Sequence, residues 1–389
     1  MKSKSFIIQL FPLMFWGFSL LIMGSCQHKP EWRKLSQTIQ NQLDSIVKVD
    51  SIPGLTLSIR FENGQEILLS SGYSDWESKT KMYKDQPMFS GSVGKTYVAA
   101  MILKLEEEGI IDIHRKVSDY IHDSWFDSIP NSKEITIEML LNHTAGVPEY
   151  VYFDQIWNQV HENPEKIWSV HDRMFVLLNQ KPTGKAGKQF GYADSHFIIL
   201  GYVIEKVTGK TYYELLKEKI MIPFHLDHTY FANKRTFKDL PSGYTVHQED
   251  MKFPAKITQN HTYYFNPQLE WTGGGVISTV SDLTKWACIL YNGDFINPLS
   301  VKKMTTPTRF NTGLFENAKY GLGSIVGKSD GIDHWGHTGF VPGYLTFMQY
   351  IPKYKFAIAI QINTDDRNKG AVIRQFINKT KLNIIQELK

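Results

Sequence analysis

Ser92-Val93-Gly94-Lys95 sets a hydroxyl and an amine three residues apart. On a helix that spacing brings both side chains to one face. A serine attacks a carbonyl only when a base takes its proton, and a lysine stripped of water can lose its charge and serve as that base. The pattern alone is common, since Ser45, Ser78 and Ser300 also have a lysine three residues on. Context separates them. Ser45 lies inside an amphipathic segment, Ser78 and Ser300 lie in polar stretches, and Ser92 alone opens a long apolar run through Val98-Ala-Ala-Met-Ile-Leu103. A serine at the start of a buried helix has the positive end of the helix dipole near its oxygen. On this segment alone, an N-capping serine beside a solvated lysine fits as well.

Other chemistries fail on spacing. Gly94-Lys95-Thr96 looks like the end of a phosphate-binding loop, but Phe89 stands where that loop needs its first glycine, and the segment upstream is polar. A nucleophile elbow fails because Ser90 occupies its first glycine position. His225-x-x-His228 and His334-x-x-His337 have a spacing seen in zinc sites, yet no cysteine partner or His-Glu-x-x-His helix accompanies them, so no metal and no cofactor is expected. His143 has no evident partner and reads as structural. Cys288, within the helical run Leu283–Leu290, reads as a buried, inert thiol. Tyr263-Tyr264-Phe265 either line a cleft or belong to the core.

The elements that must position the pair follow from periodicity. Trp32, Leu35, Ile39, Leu43, Ile46 and Val47 recur at helical spacing over about 31–49. Pro53-Gly54 ends that helix. Leu55, Leu57, Ile59 and Phe61 alternate with polar residues as a strand, Asn63-Gly64 makes a hairpin turn, and Glu66–Tyr73 returns. Near the other end, Tyr344–Ile351 and Phe356–Ile362 read as strands about a turn at Pro352–Lys355, the second apolar enough to be covered on both faces. A closing helix is marked by Val372, Ile373, Phe376, Ile377, Ile384 and Ile385. Helices are expected at Tyr97–Glu108, Ile137–Asn142, Asp194–Thr208 and Tyr212–Lys219. The pattern predicts an α/β (α+β) fold. One antiparallel sheet is built from both termini and flanked by helices (26–84 and 256–389), with a mostly helical lobe inserted at 85–255. A cleft at the seam is the expected ligand site.

The chain has 389 residues, 43 basic and 39 acidic, for a formal charge of +4. That balance is too even for a nucleic-acid surface. Hydrophobic residues at 42% exclude a disordered chain. Lys2 and Lys4 precede an apolar run from Phe6 to Met23, followed by Gly24, Ser25 and Cys26, the layout of a secretory signal. Met23-Gly24-Ser25-Cys26 resembles a bacterial lipobox with Met23 in place of the usual leucine. The expectation is a lipoprotein signal at 1–25, lipidation of Cys26, and an exported protein anchored to a membrane of the cell envelope. The competing reading is an uncleaved membrane anchor. Cleavage would leave Cys288 as the only other thiol and permit no intrachain disulfide. A monomer is favoured.

Several stretches taken together resemble the penicillin-recognising serine hydrolases, the family of class C β-lactamases, D,D-carboxypeptidases, D-aminopeptidases and related esterases. They are Phe89–Thr96 with Leu105–Asp112, Ile135–Gly146, Phe190–Asp194 with Leu200–Glu205, Gly273–Asp282, and His334–Gly343 in a His-Thr-Gly form. Their order and spacing agree across about 85–365. The resemblance implies a β-lactamase/transpeptidase-like fold. It implies that Ser92 is acylated, that Lys95 is its proton acceptor or electrostatic partner, and that Tyr192 is a second acid/base group with a phenol pKa lowered by nearby cations. His337 would be a neutral donor or an added positive charge. Thr338 would meet a substrate carboxylate, Gly339 would let the strand approach the substrate, and the Phe340 and Ser92 N–H groups would form an oxyanion hole. Asp194 replaces the family's asparagine and so loses a donor, or pairs with Lys95. A hydroxyl residue is absent at Phe340. The expected substrate is a small D-amino-acid peptide, with an ester next and a β-lactam third. The alternative of another class is a wall-peptide or penicillin binder that acylates without turnover.

Overall fold

The structure, a computed structural model, describes residues 32–315 and 317–388. The signal segment and Cys26 lie outside the described residues. Helix α1 (Trp32–Val49) buries Leu35, Ile39 and Leu43, the stripe that its periodicity marks. Strands β1 (Gly54–Phe61) and β2 (Glu66–Asp75) form the expected hairpin, with Gly64 at a φ of 83° in its turn. The short β3 (Thr80–Lys81) extends it. The C-terminal part adds β4 (Ala318–Tyr320), β5 (Ile325–Ser329), β6 (Ile332–Val341), β7 (Tyr344–Ile351) and β8 (Phe356–Ile362). The eight strands lie in the order β3-β2-β1-β8-β7-β6-β5-β4. Every pairing is antiparallel, and β1 against β8 joins the two ends of the chain with Leu57 opposite Ile360.

Alternation divides the sheet into two faces. Leu55, Leu57, Ile59, Ile358, Ile360 and Phe347 pack under α1 and the closing helix α5 (Arg367–Glu387), which contributes Ile373, Phe376 and Ile384. The opposite face carries small residues, Thr56, Ser58, Ala357 and Ala359, where α4 (Val280–Asn292) lies close. Ser58 Oγ is 2.8 Å from Thr284 Oγ1 on that helix. Cys288, on α4, is buried, and burial pushes its thiol up to about 12. It is inert at neutral pH.

Helices α2 (Lys95–Glu107) and α3 (Asp194–Thr208) form the centre of the helical part. Every residue of α2 from Lys95 to Leu103 is buried. The segment before α2 departs from expectation. Gly91–Gly94 is a 3₁₀ turn, and the α-helix begins at Lys95 rather than Tyr97. Three short strands, Met88–Phe89, Val276–Ser278 and Tyr230–Phe231, pair beside that turn. Tyr263 and Phe265 settle the aromatic question as core, with Tyr263 donating to the Pro342 carbonyl at 3.0 Å.

Candidate active site

Ser92 sits in the 3₁₀ turn that opens α2, and three backbone approaches fix that turn. Gly91 has a φ of 52°, and a Cβ there would lie 2.7 Å from the Phe340 nitrogen. A Cβ at Gly339 would stand 1.9 Å from the Ser90 carbonyl oxygen, and one at Gly274 would stand 2.7 Å from the Gly91 carbonyl carbon. The turn is thus wedged between the free edge of β6 and the Gly273–Gly275 segment. Gly339 serves this close approach of strand to turn, which differs from the close approach to substrate that its sequence position suggested.

The register of β6 decides which groups face the serine. Pairing with β5 stops at Gly336, so the later residues of β6 form an edge. Val341 and Tyr344 close a two-residue hairpin and form a hydrogen-bonded pair, and alternation then turns the Phe340 N–H and C=O away from β7. They point at Gly91 and Ser92. Thr338 pairs with Phe347 and therefore faces α5, on the side of the sheet away from the helical part. His334 lies on that same side and His337 on the other, so the His-x-x-His spacing on this strand splits its imidazoles across the sheet.

Lys95 is fully buried. Its Nζ lies 3.0 Å from Ser92 Oγ and also donates to the Asp194 carboxylate and to the Gly273 carbonyl. Asp194 is the first residue of α3, so the start of that helix delivers the carboxylate to the start of α2. Two further acids surround the pair. Glu149 accepts from the Asp194 backbone N–H, and burial with the nearby Asp194 charge holds its carboxyl well above the usual range. Burial and Asp194 push Glu270 up to about 8. Neither acid carries a sequence motif; Glu149 and Glu270 sit in loops, and only the fold brings them to Lys95.

Tyr192 lies over the lysine, with Nζ 5.1 Å from its ring centre. Its phenol departs from expectation. Burial and the Asp194 charge raise its pKa well above 10, outweighing the hydrogen bond with Ser92, which acts in the other direction. Tyr192 holds its proton and is equipped to donate it. His337 also differs. Its Nδ1–H donates to the Thr338 carbonyl at 2.6 Å, so Nε2 is an acceptor and takes the Tyr320 hydroxyl at 2.9 Å. Burial and Lys95 push it down to about 3, leaving a neutral ring with both nitrogens engaged inside the protein. It is neither an added cation nor a donor free to meet substrate.

His143 has a partner that its sequence context hides. At a φ of 57°, it sets Nδ1 3.0 Å from His196 Nδ1, and its ring lies 4.2 Å from that of Tyr192. Burial holds both imidazoles neutral, His196 at about 3. His143 and Tyr320 back the Tyr192 ring, and His196 backs His143. Among the described residues no group of three or more His, Cys, Asp and Glu is arranged to hold a metal ion.

The sheet topology, together with a half-buried serine beside a buried lysine at the sheet's free edge, defines the class: this is a protein of the beta-lactamase fold. Residues 37–379 match the beta-lactamase family model, and the chain belongs to that family. Penicillin-binding protein 4* of Bacillus subtilis is 28% identical over 309 residues, covering 76% of this chain and 65% of that protein. The teichoic acid D-alanine hydrolase of Staphylococcus aureus is 27% identical over 281 residues, covering 72% of this chain and 61% of that one. The chain thus spans less than two thirds of the length of these curated relatives. Among solved structures, the D-amino acid amidase of Ochrobactrum anthropi superposes with a TM-score of 0.78 at 20% identity, covering 92% of this chain and all of that one. A D-stereospecific amidohydrolase from Streptomyces gives 0.75 at 24%, covering 86% and 96%. These likenesses carry the fold. Among the described residues no helix is long and apolar enough to cross a membrane.

Proposed function

We propose that this protein hydrolyses a D-aminoacyl amide, peptide or ester bond through an acyl-enzyme on Ser92. The observation that carries the reading is the Lys95 amine 3.0 Å from the Ser92 hydroxyl, buried and held by Asp194 and Gly273. In the reactive state Lys95 is the neutral amine and takes the Ser92 proton as Oγ bonds to the carbonyl carbon. The Phe340 and Ser92 N–H groups receive the oxyanion. Tyr192 protonates the leaving group as its bond breaks and regains a proton from Lys95. Water then releases the acyl group by the same route, with Lys95 again taking the proton.

Asp194 pairs with Lys95, and burial raises Glu149 and Glu270 toward their protonated forms, so the carboxyl groups around Lys95 offer a substrate amino group hydrogen-bond acceptors rather than a surplus of negative charge. The names of the D-amino acid amidase and the teichoic acid D-alanine hydrolase point to D-amino-acid derivatives of this kind. A β-lactam ranks below them, because Asp194 stands in place of the family's asparagine and lacks its donor. We further propose that the protein is exported and anchored through Cys26. Labelled fatty acid that still enters a Cys26→Ala variant would refute the anchor.

The test compares D-alanine amide, a D-alanyl ester and their N-acetylated forms on the native protein and on Ser92→Ala. Turnover of the free-amine substrates that vanishes in Ser92→Ala supports the reading, as does a preference over the acetylated forms of about 10-fold or more in kcat/KM. Activity that survives Ser92→Ala overturns the site. A single stoichiometric burst with no steady rate would make the protein a binder rather than an enzyme.

A further inference from the structure

A second lysine is buried far along the chain from Ser92. Lys381, on α5, has no exposed surface and no carboxylate partner among the described residues. Its Nζ donates to Ser329 Oγ, at the end of β5, and to Asn378 Oδ1 at 3.4 Å. Ser329 Oγ in turn donates to Asn378 Oδ1 at 3.0 Å. Stripped of water and with only the exposed Asp330 nearby to oppose the effect, the amine is pushed down to about 8. A lysine held this way is short of an anion.

Ser329 and Asn378 face a cavity of about 110 Å³ between α5 and the sheet face turned away from the helical part. Its apolar walls include Phe315, Ile325 and Phe347. At its side stands Arg374, half-buried. Its guanidinium lies 5.0 Å from the Phe315 ring centre and has no ion-pair partner among the described residues, and desolvation lowers its pKa. The Thr338 side chain reaches the same space from β6. Arg374, the neutral polar side chains of Ser329, His334, Thr338, Gln349 and Asn378, and an apolar remainder line one half-open volume, with Lys381 behind Ser329 and Asn378. Such a volume holds a molecule of a few heavy atoms rather than a chain.

We propose that this cavity binds a small organic carboxylate, distinct from the substrate of Ser92. Arg374 takes the carboxylate with its planar fork, the Asn378 Nδ2 amide and the Thr338 hydroxyl complete the hydrogen bonds, and Lys381 behind them holds its proton more tightly as the negative charge arrives. A carboxylate is favoured over inorganic phosphate because the rest of the wall is apolar and matches a short aliphatic tail.

Calorimetry on the full chain tests this with acetate, propionate, D-alanine and phosphate, using Ser92→Ala to silence the other site. Saturable propionate binding is expected, unchanged in Ser92→Ala and weakened at least 10-fold in Arg374→Gln, a half-exposed position where folding should survive. At pH 8.5 binding should take up a fraction of a proton, read from the dependence of the heat on buffer, and Lys381→Met should abolish that uptake. Absence of binding at millimolar carboxylate overturns the proposal. So does equal affinity in Arg374→Gln, binding lost in Ser92→Ala, or phosphate binding as tightly as propionate.

Discussion

Lys95 is asked to be two things. In the resting fold it is an ion-pair partner of Asp194, and in the reaction it must be an amine. The role is tested by Lys95→Met, which keeps the bulk and removes the nitrogen. It should lower kcat/KM by about 10²–10⁴-fold, the usual worth of a positioned acid or base. Loss of fluorophosphonate labelling at Ser92 on the same protein would tie the effect to the serine. Tyr192→Phe separates the second group. If the phenol donates only as the leaving group departs, kcat should fall by about 10-fold or more while KM holds, because the hydroxyl is not needed to bind. A rise in KM at constant kcat would make Tyr192 a binding residue instead.

At the scale of elements, the site exists because two backbones touch where side chains would forbid it. Gly339→Ala puts a methyl 1.9 Å from the Ser90 carbonyl, and neither strand nor turn has a flexible atom to yield. The substitution should cost about 1–3 kcal/mol in stability, the range for overpacking. It should also displace the Phe340 N–H and reduce activity beyond the stability loss; urea denaturation and kcat measured together check both. This scale also shows what the sequence disclosed. Strands and helices of seven or more residues, such as β1 with its alternation, β8 with its apolar run and α3 with its helical spacing, were legible because burial imposes a pattern. Met88–Phe89, Val276–Ser278, β4 and β5 were not, since two to five residues hold no period and are set by their neighbours. The site divides in the same way. Ser92 and Lys95 lie within one turn and could be paired on spacing. Glu149, Glu270 and His196 reach the site only through long-range folding. The Tyr192 shift runs opposite to what the resemblance implies because burial, which no motif displays, and the Asp194 charge outweigh the hydrogen bond with Ser92.

At the scale of the molecule, these buried groups set how stability depends on pH. Four imidazoles resist charging in the fold: His143 lies well below 6.5, His196 and His337 are pushed down to about 3, and His334 to about 4. As pH falls through 6.5, the unfolded chain takes up protons that the fold refuses. The stability these rings contribute is therefore full above 6.5 and declines toward 3. Glu149 and Glu270 act in the opposite sense. Their folded values lie above 4.5, Glu270 at about 8, so their contribution is full below 4.5 and is lost as pH rises toward 8. With four groups opposing acid and two opposing base, the arms balance near pH 6.5. By pH 5.5 the unfolded chain binds about two more protons than the fold, a slope on the order of 3 kcal/mol per pH unit. Urea unfolding from pH 5 to 8.5 should give a maximum near 6.5 with the acid side steeper. Glu270→Gln, neutral at every pH, should flatten the alkaline side by roughly one proton and leave the acid side unchanged. An alkaline arm that keeps its slope in that variant would mean that Glu270 is ionised in the fold. An ionised Glu270 would place a second carboxylate near Lys95 to compete with Asp194 for its amine, and the mechanism would have to be redrawn around it.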